Sequence, residues 1–162
     1  MALHFKSFVP RTRSKAVFVM VMACYCVAIT GFVSTWRYVA HVKSPTRAFY
    51  LHGDTSDVVY VLAVAPMIES FVLAGAIELI RKIRGPVVLQ VLLAAVLVSL
   101  AHAWPWWPHA AIVLPAFCIQ AACYLYWRGT SWTVGYWLVV AIHSLSNLTP
   151  ALSIIGRASR HA

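Results

Sequence analysis

The chain has 162 residues, 62% of them apolar, 10% charged and 13% aromatic, with 13 Lys+Arg against 4 Asp+Glu and a net charge of +9. Soluble domains average nearer half apolar and a quarter charged, so this composition excludes a disordered chain, a collagen-like repeat and an ordinary cytosolic enzyme. At about 20 residues per crossing, five crossings occupy roughly 100 residues and leave no room for a second domain. The sequence predicts a small all-α, polytopic membrane bundle of about five transmembrane helices.

Residues 1–15 carry Lys6, Arg11, Arg13 and Lys15 and no acid, and residues 16–35 form the first apolar run. A signal peptide has an apolar region of about 7–15 residues and a small-residue cleavage site, so this longer run reads as an uncleaved helix. Residues 36–57 are polar and mixed, with His41, Pro45, His52, Gly53, Asp54 and Asp57, and read as an outer loop. Further apolar runs follow at 58–80, 87–103, 110–127 and 132–155. The links between them are basic at 81–86, rich in Trp and Pro at 104–109, and Arg-Gly-Thr-Ser at 128–131. Indole rings prefer the headgroup level, so 104–109 is predicted to be a short turn at the surface. The chain thus divides into residues 1–57 (basic start, first helix, polar loop), a four-helix core at 58–155 and a short basic tail at 156–162.

Basic residues number four, three and one in segments 1–15, 81–86 and 128, against three, none and two in 36–57, 104–109 and 156–162. The positive-inside rule therefore favours an inner N-terminus, with the basic residues also suited to anionic lipid headgroups. Their place between apolar runs argues against nucleic acid as a partner. Cys24, Cys26, Cys118 and Cys123 all lie inside apolar runs without metal-finger spacing and read as small packing residues.

The informative residues are those that a bilayer ought to exclude. Glu69 stands near the middle of the second run with no basic residue within a turn, and an unpaired carboxylate there needs a proton or a polar cavity. His143 stands near the middle of the fifth run, and Asn147 follows at i+4 on the same helix face. His102 is near the outer end of the third. Exposing any of these to lipid is costly, and a small bundle has one interior, so they are expected to face it together. Glu78 precedes Arg81 and Lys82 and is expected to pair with them at the inner boundary. Gln120 is a candidate for an interhelical hydrogen bond. Pro66 and Pro150 free backbone carbonyls close to the polar cluster.

These residues also carry a family resemblance. Pro66-Met-Ile-Glu69-Ser-Phe-Val-Leu-Ala-Gly75 resembles the first motif, Glu-Glu-x-x-x-Arg, of the CPBP family of CAAX-protease and bacteriocin-processing (ABI-type) intramembrane proteases. Val98-Ser-Leu-Ala-His102 resembles its second, Phe-x-x-x-His, and His143-Ser-Leu-Ser-Asn147 its third, His-x-x-x-Asn. Tyr124-Leu-Tyr-Trp-Arg-Gly-Thr-Ser-Trp132 is similar to the family's linking segment. Together these stretches cover about residues 58–150, in the family's order. Ser70, Ala74 and Val98 depart from it, standing where the second Glu, the Arg and the Phe are expected.

The resemblance implies an intramembrane endopeptidase of a bacterial inner membrane, acting on a membrane-associated protein or a leader or C-terminal segment. It assigns Glu69 to activating water, His102 to assisting it, and His143 and Asn147 to stabilising the oxyanion, with no cofactor. The chemistry needs such a set: a local water, a base, and donors for the developing negative charge. Glu69, His102 and His143 would equally suit a zinc ion with one position left for water. Two further readings stand beside the enzyme: a non-catalytic immunity or accessory subunit on the same scaffold, and a haem protein ligated by His102 and His143.

Overall fold

The computed structural model describes residues 14–39, 55–104 and 106–158. Its elements are α1 (Lys15–Val39), α2 (Thr55–Val59), a π-helical turn (Tyr60–Val64), α3 (Ala65–Arg81), α4 (Val87–Ala101), α5 (Pro108–Arg128), α6 (Trp132–Ser146) and α7 (Leu148–Ala158). No strand occurs among the described residues. Four stretches are long and apolar enough to cross a membrane, Lys15–Trp36, Thr55–Arg81, Pro108–Arg128 and Trp132–Gly156, and α4 is a shorter apolar helix. Phe32, Phe71, Leu97 and Leu100 are among many large apolar side chains that face outward. Soluble proteins rarely expose apolar surface so widely, whereas lipid accepts it. The protein is an integral membrane helical bundle.

The structure revises several of the predicted segments. The first helix continues to Val39, past the predicted start of the loop, and the second begins at Thr55. The fifth run is two helices, broken at Asn147, because Pro150 has no N–H with which to continue the α6 ladder. The second run contains a π-helical turn just before Pro66. Residues 40–54, with His41, His52 and Asp54, lie outside the described residues, as do 1–13 and 159–162.

Short links make α4 and α5, and α5 and α6, packed neighbours; α3 lies against α4 and α6, while α1 lies against α5 and α6 and does not reach α3 or α4. Helix α1 supplies no candidate site residue, yet Phe18, Val19, Met22, Ala23 and Cys26 are buried in the common core. Lipid gives little hydrophobic drive for helices to associate, so close approach through small residues matters most. Ala74, Ala94, Ala95 and Ala121 are buried at these contacts. Gly135 is the tightest: a Cβ there would stand 3.2 Å from the Tyr124 carbonyl oxygen and the Arg128 backbone nitrogen.

One end of the bundle gathers the cations. The Lys15 ammonium lies 5.9 Å from the Trp127 ring centre, and Glu78 joins Arg81 to Arg128. Helix α4 starts at that end and has 15 residues. At about 1.5 Å per residue it rises roughly 22 Å, short of a hydrocarbon core about 30 Å thick. Its far end, which carries His102, therefore rises less than a hydrocarbon thickness from the cationic end.

Candidate active site

Three of the four singled-out side chains meet around one carboxylate oxygen. His102 Nε2 lies 3.3 Å from Glu69 Oε2, and His143 Nε2 lies 3.5 Å from the same atom. The three come from α3, the turn after α4, and the last turn of α6. Glu69 and His102 keep a quarter or less of their side-chain surface exposed, and His143 8%. The separations are long for hydrogen bonds, as is common in sites without substrate. Phe117 of α5 sets the spacing: it is 3% exposed, with its ring centre 5.3 Å from that of His102 and 5.6 Å from that of His143. His109, at the start of α5, places its ring 5.7 Å from that of His102.

The hydrogen-bond pattern assigns the protons. His102 Nδ1 lies 3.1 Å from the Val98 carbonyl oxygen, which can only accept, so Nδ1 carries a proton. Its Nε2 then faces Glu69 Oε2 with a lone pair unless one further proton lies between them. That proton makes the pair either imidazolium and carboxylate or imidazole and carboxylic acid, neutral in both forms. His143 Nδ1 is buried without a partner. A buried N–H is rarely orphaned, so the ring's proton belongs on Nε2, where Glu69 can accept it. With that proton present the three groups together carry no net charge, the arrangement a bilayer tolerates.

Asn147 occupies a different niche. Its Nδ2 donates to the Val61 carbonyl in the π-helical turn at 2.9 Å. Its backbone N–H donates to the carbonyls of His143 and Ser144, at 3.0 and 3.2 Å. Ser146, beside it, is satisfied by the Ile142 carbonyl at 2.7 Å.

Ser70, Ala74 and Val98 are all buried, at 1%, 7% and 2% exposure. Ser70 and Ala74 lie one turn apart on α3. Ser70 Oγ has no partner, nor has Gln120 Oε1. Among the described residues no group of three or more His, Cys, Asp or Glu is placed to hold a metal ion.

Sequence reasoning missed the polar cluster at the basic end. Glu78 does pair with Arg81, at 3.3 Å, but its closest partners come from α5. Arg128 Nε and Nη2 donate to its two carboxylate oxygens at 2.8 and 3.0 Å, and the Tyr124 hydroxyl donates at 2.9 Å. A two-pronged guanidinium–carboxylate pair is the stronger geometry. The signal was present in the Tyr124–Arg128 segment, one helical turn apart, but the register between α3 and α5 could not be read from one chain.

No family model, no curated protein and no solved structure matches the chain. The fold and site define a class, a helical integral membrane protein with a carboxylate–bis-imidazole site inside its bundle.

Proposed function

We propose that the protein is an intramembrane endopeptidase of glutamic type, resembling the CPBP family, that hydrolyses a peptide bond of a membrane-associated protein. The observation that supports this reading is the convergence of His102 and His143 on one oxygen of Glu69. In the carboxylate form Glu69 takes a proton from a water as its oxygen attacks the scissile carbonyl carbon. His143 Nε2–H donates to the oxyanion, and the proton held between Glu69 and His102 passes to the leaving amine. Asn147, which the resemblance places beside the oxyanion, already donates one amide N–H to Val61; its second N–H is free to turn towards substrate.

Access fits the outer side. His109 and the exposed indoles of Trp104 and Trp107 lie at the end where α4 stops short. With the N-terminus inside a bacterial inner membrane, water and the scissile segment enter there. The second reading, a non-catalytic subunit on the same scaffold, draws on the replacement of a charged pair by buried Ser70 and Ala74.

The experiment is a comparison of peptide termini in membranes of a bacterial host expressing either the protein or its Glu69→Gln variant. Termini that appear with the parent protein and vanish with the variant carry the endopeptidase reading. Identical termini in both favour the non-catalytic subunit.

A further inference from the structure

A π-helical turn and a proline together create a backbone problem that one side chain solves. In an α-helix the Val61 carbonyl would accept from the N–H of residue 65, and in a π-helix from that of residue 66. Ala65 gives its N–H to the Tyr60 carbonyl, the π register. Residue 66 is proline and has no N–H. Val61 is thus left without either backbone donor, about a quarter of the way along a stretch long enough to cross a membrane. No water reaches such a carbonyl from the hydrocarbon, and leaving it unmet is costly. The Asn147 amide fills the gap at 2.9 Å, from 86 residues away in sequence.

We infer that Asn147 is a positioning residue whose amide replaces the donor that Pro66 removes, and that this bond sets where Glu69 stands relative to His143. Glu69 follows Pro66 by one turn on α3, so the angle at which the chain leaves the π turn aims the carboxylate. The other end of the link is the turn that carries His143, because the Asn147 backbone N–H is bonded to the His143 carbonyl. One amide therefore joins the helix of the acid to the helix of the imidazole. The inference deepens the endopeptidase reading but does not need it, because the bond would hold the three groups together in an inactive protein as well.

A double-mutant cycle on the full-length protein in lipid nanodiscs tests it. Pro66→Ala returns an N–H to the helix and satisfies Val61 from the backbone. Asn147→Ala alone is expected to lower the melting temperature by about 5 °C and to move the imidazole 15N resonances of His102 and His143. In the Pro66→Ala background the same substitution is expected to cost less than half as much and to leave those resonances near their parent positions. If Asn147→Ala alone does not fold, the double variant should. Equal effects in both backgrounds, no effect of Asn147→Ala alone, or failure of both variants to fold would each overturn the inference. Where cleavage is measured, Pro66→Ala should restore it to the Asn147→Ala protein; a loss that stays would show instead that Asn147 serves the oxyanion. Absence of cleavage in the parent protein bears on the function alone, since the thermal and spectroscopic arms read the link without it.

Discussion

At Glu69 two imidazoles and one carboxylate share a small set of protons, and each neighbour has a defined part in holding them. The Val98 carbonyl fixes the His102 tautomer, and the absence of a partner at His143 Nδ1 directs that ring's N–H towards Glu69. His143→Ala is therefore expected to slow cleavage by about 10²–10³, the usual loss for one oxyanion donor, in a progress-curve assay. Ser70 offers a contrast one position away. Its hydroxyl is buried without a partner, and removing an unsatisfied polar group is neutral or stabilising. Ser70→Ala should leave the rate within a few-fold and the melting temperature unchanged or slightly raised. A drop of several degrees would mean that the hydroxyl has a partner this account lacks.

Between helices, specificity comes from a few close approaches. Gly135 lets α6 lie against the end of α5, at the residue whose hydroxyl holds Glu78. Gly135→Ala is expected to cost about 1–3 kcal/mol through overpacking, seen as a lower melting temperature. Glu78→Ala, which leaves Arg128, Arg81 and Tyr124 without their shared acceptor, should cost about 1 kcal/mol at this partly exposed boundary. The sequence made the candidate site largely legible because a bilayer penalises every polar group: Glu69, His102, His143 and Asn147 stood out against apolar runs. It did not reveal Phe117, the Glu78–Arg128 pair or the Val61 carbonyl as the target of Asn147. Those depend on registers between residues 15 to 86 apart in sequence, and apolar runs in lipid lack the periodic polar face that would announce a register. The π turn was equally hidden, although Pro66 signalled a freed carbonyl. Pro150 likewise signalled a freed carbonyl, but the fifth run was not divided there because hydropathy runs straight across Asn147.

For the bundle as a whole, the short α4 and the cationic end define two different surfaces. Lys15, Arg81 and Arg128 belong to one end, and Trp104, Trp107 and His109 to the other. Single cysteines introduced at Lys82 and Thr130 should therefore react with an impermeant maleimide from one side of sealed vesicles, and one at Trp107 from the opposite side. Labelling of Lys82 and Thr130 from opposite sides would contradict the bundle. The central claim, that Glu69 activates water for peptide hydrolysis, is tested most directly in H₂¹⁸O. The protein and its Glu69→Gln variant, reconstituted in liposomes with a cleaved membrane segment, are compared by the isotope content of the new carboxyl terminus. With the parent protein ¹⁸O is expected in that carboxylate, and with Glu69→Gln, whose amide keeps the shape but cannot take the proton, no new terminus is expected. Full cleavage by Glu69→Gln would contradict it, and activity lost on chelation and restored by zinc would move the chemistry to a metal held by Glu69, His102 and His143.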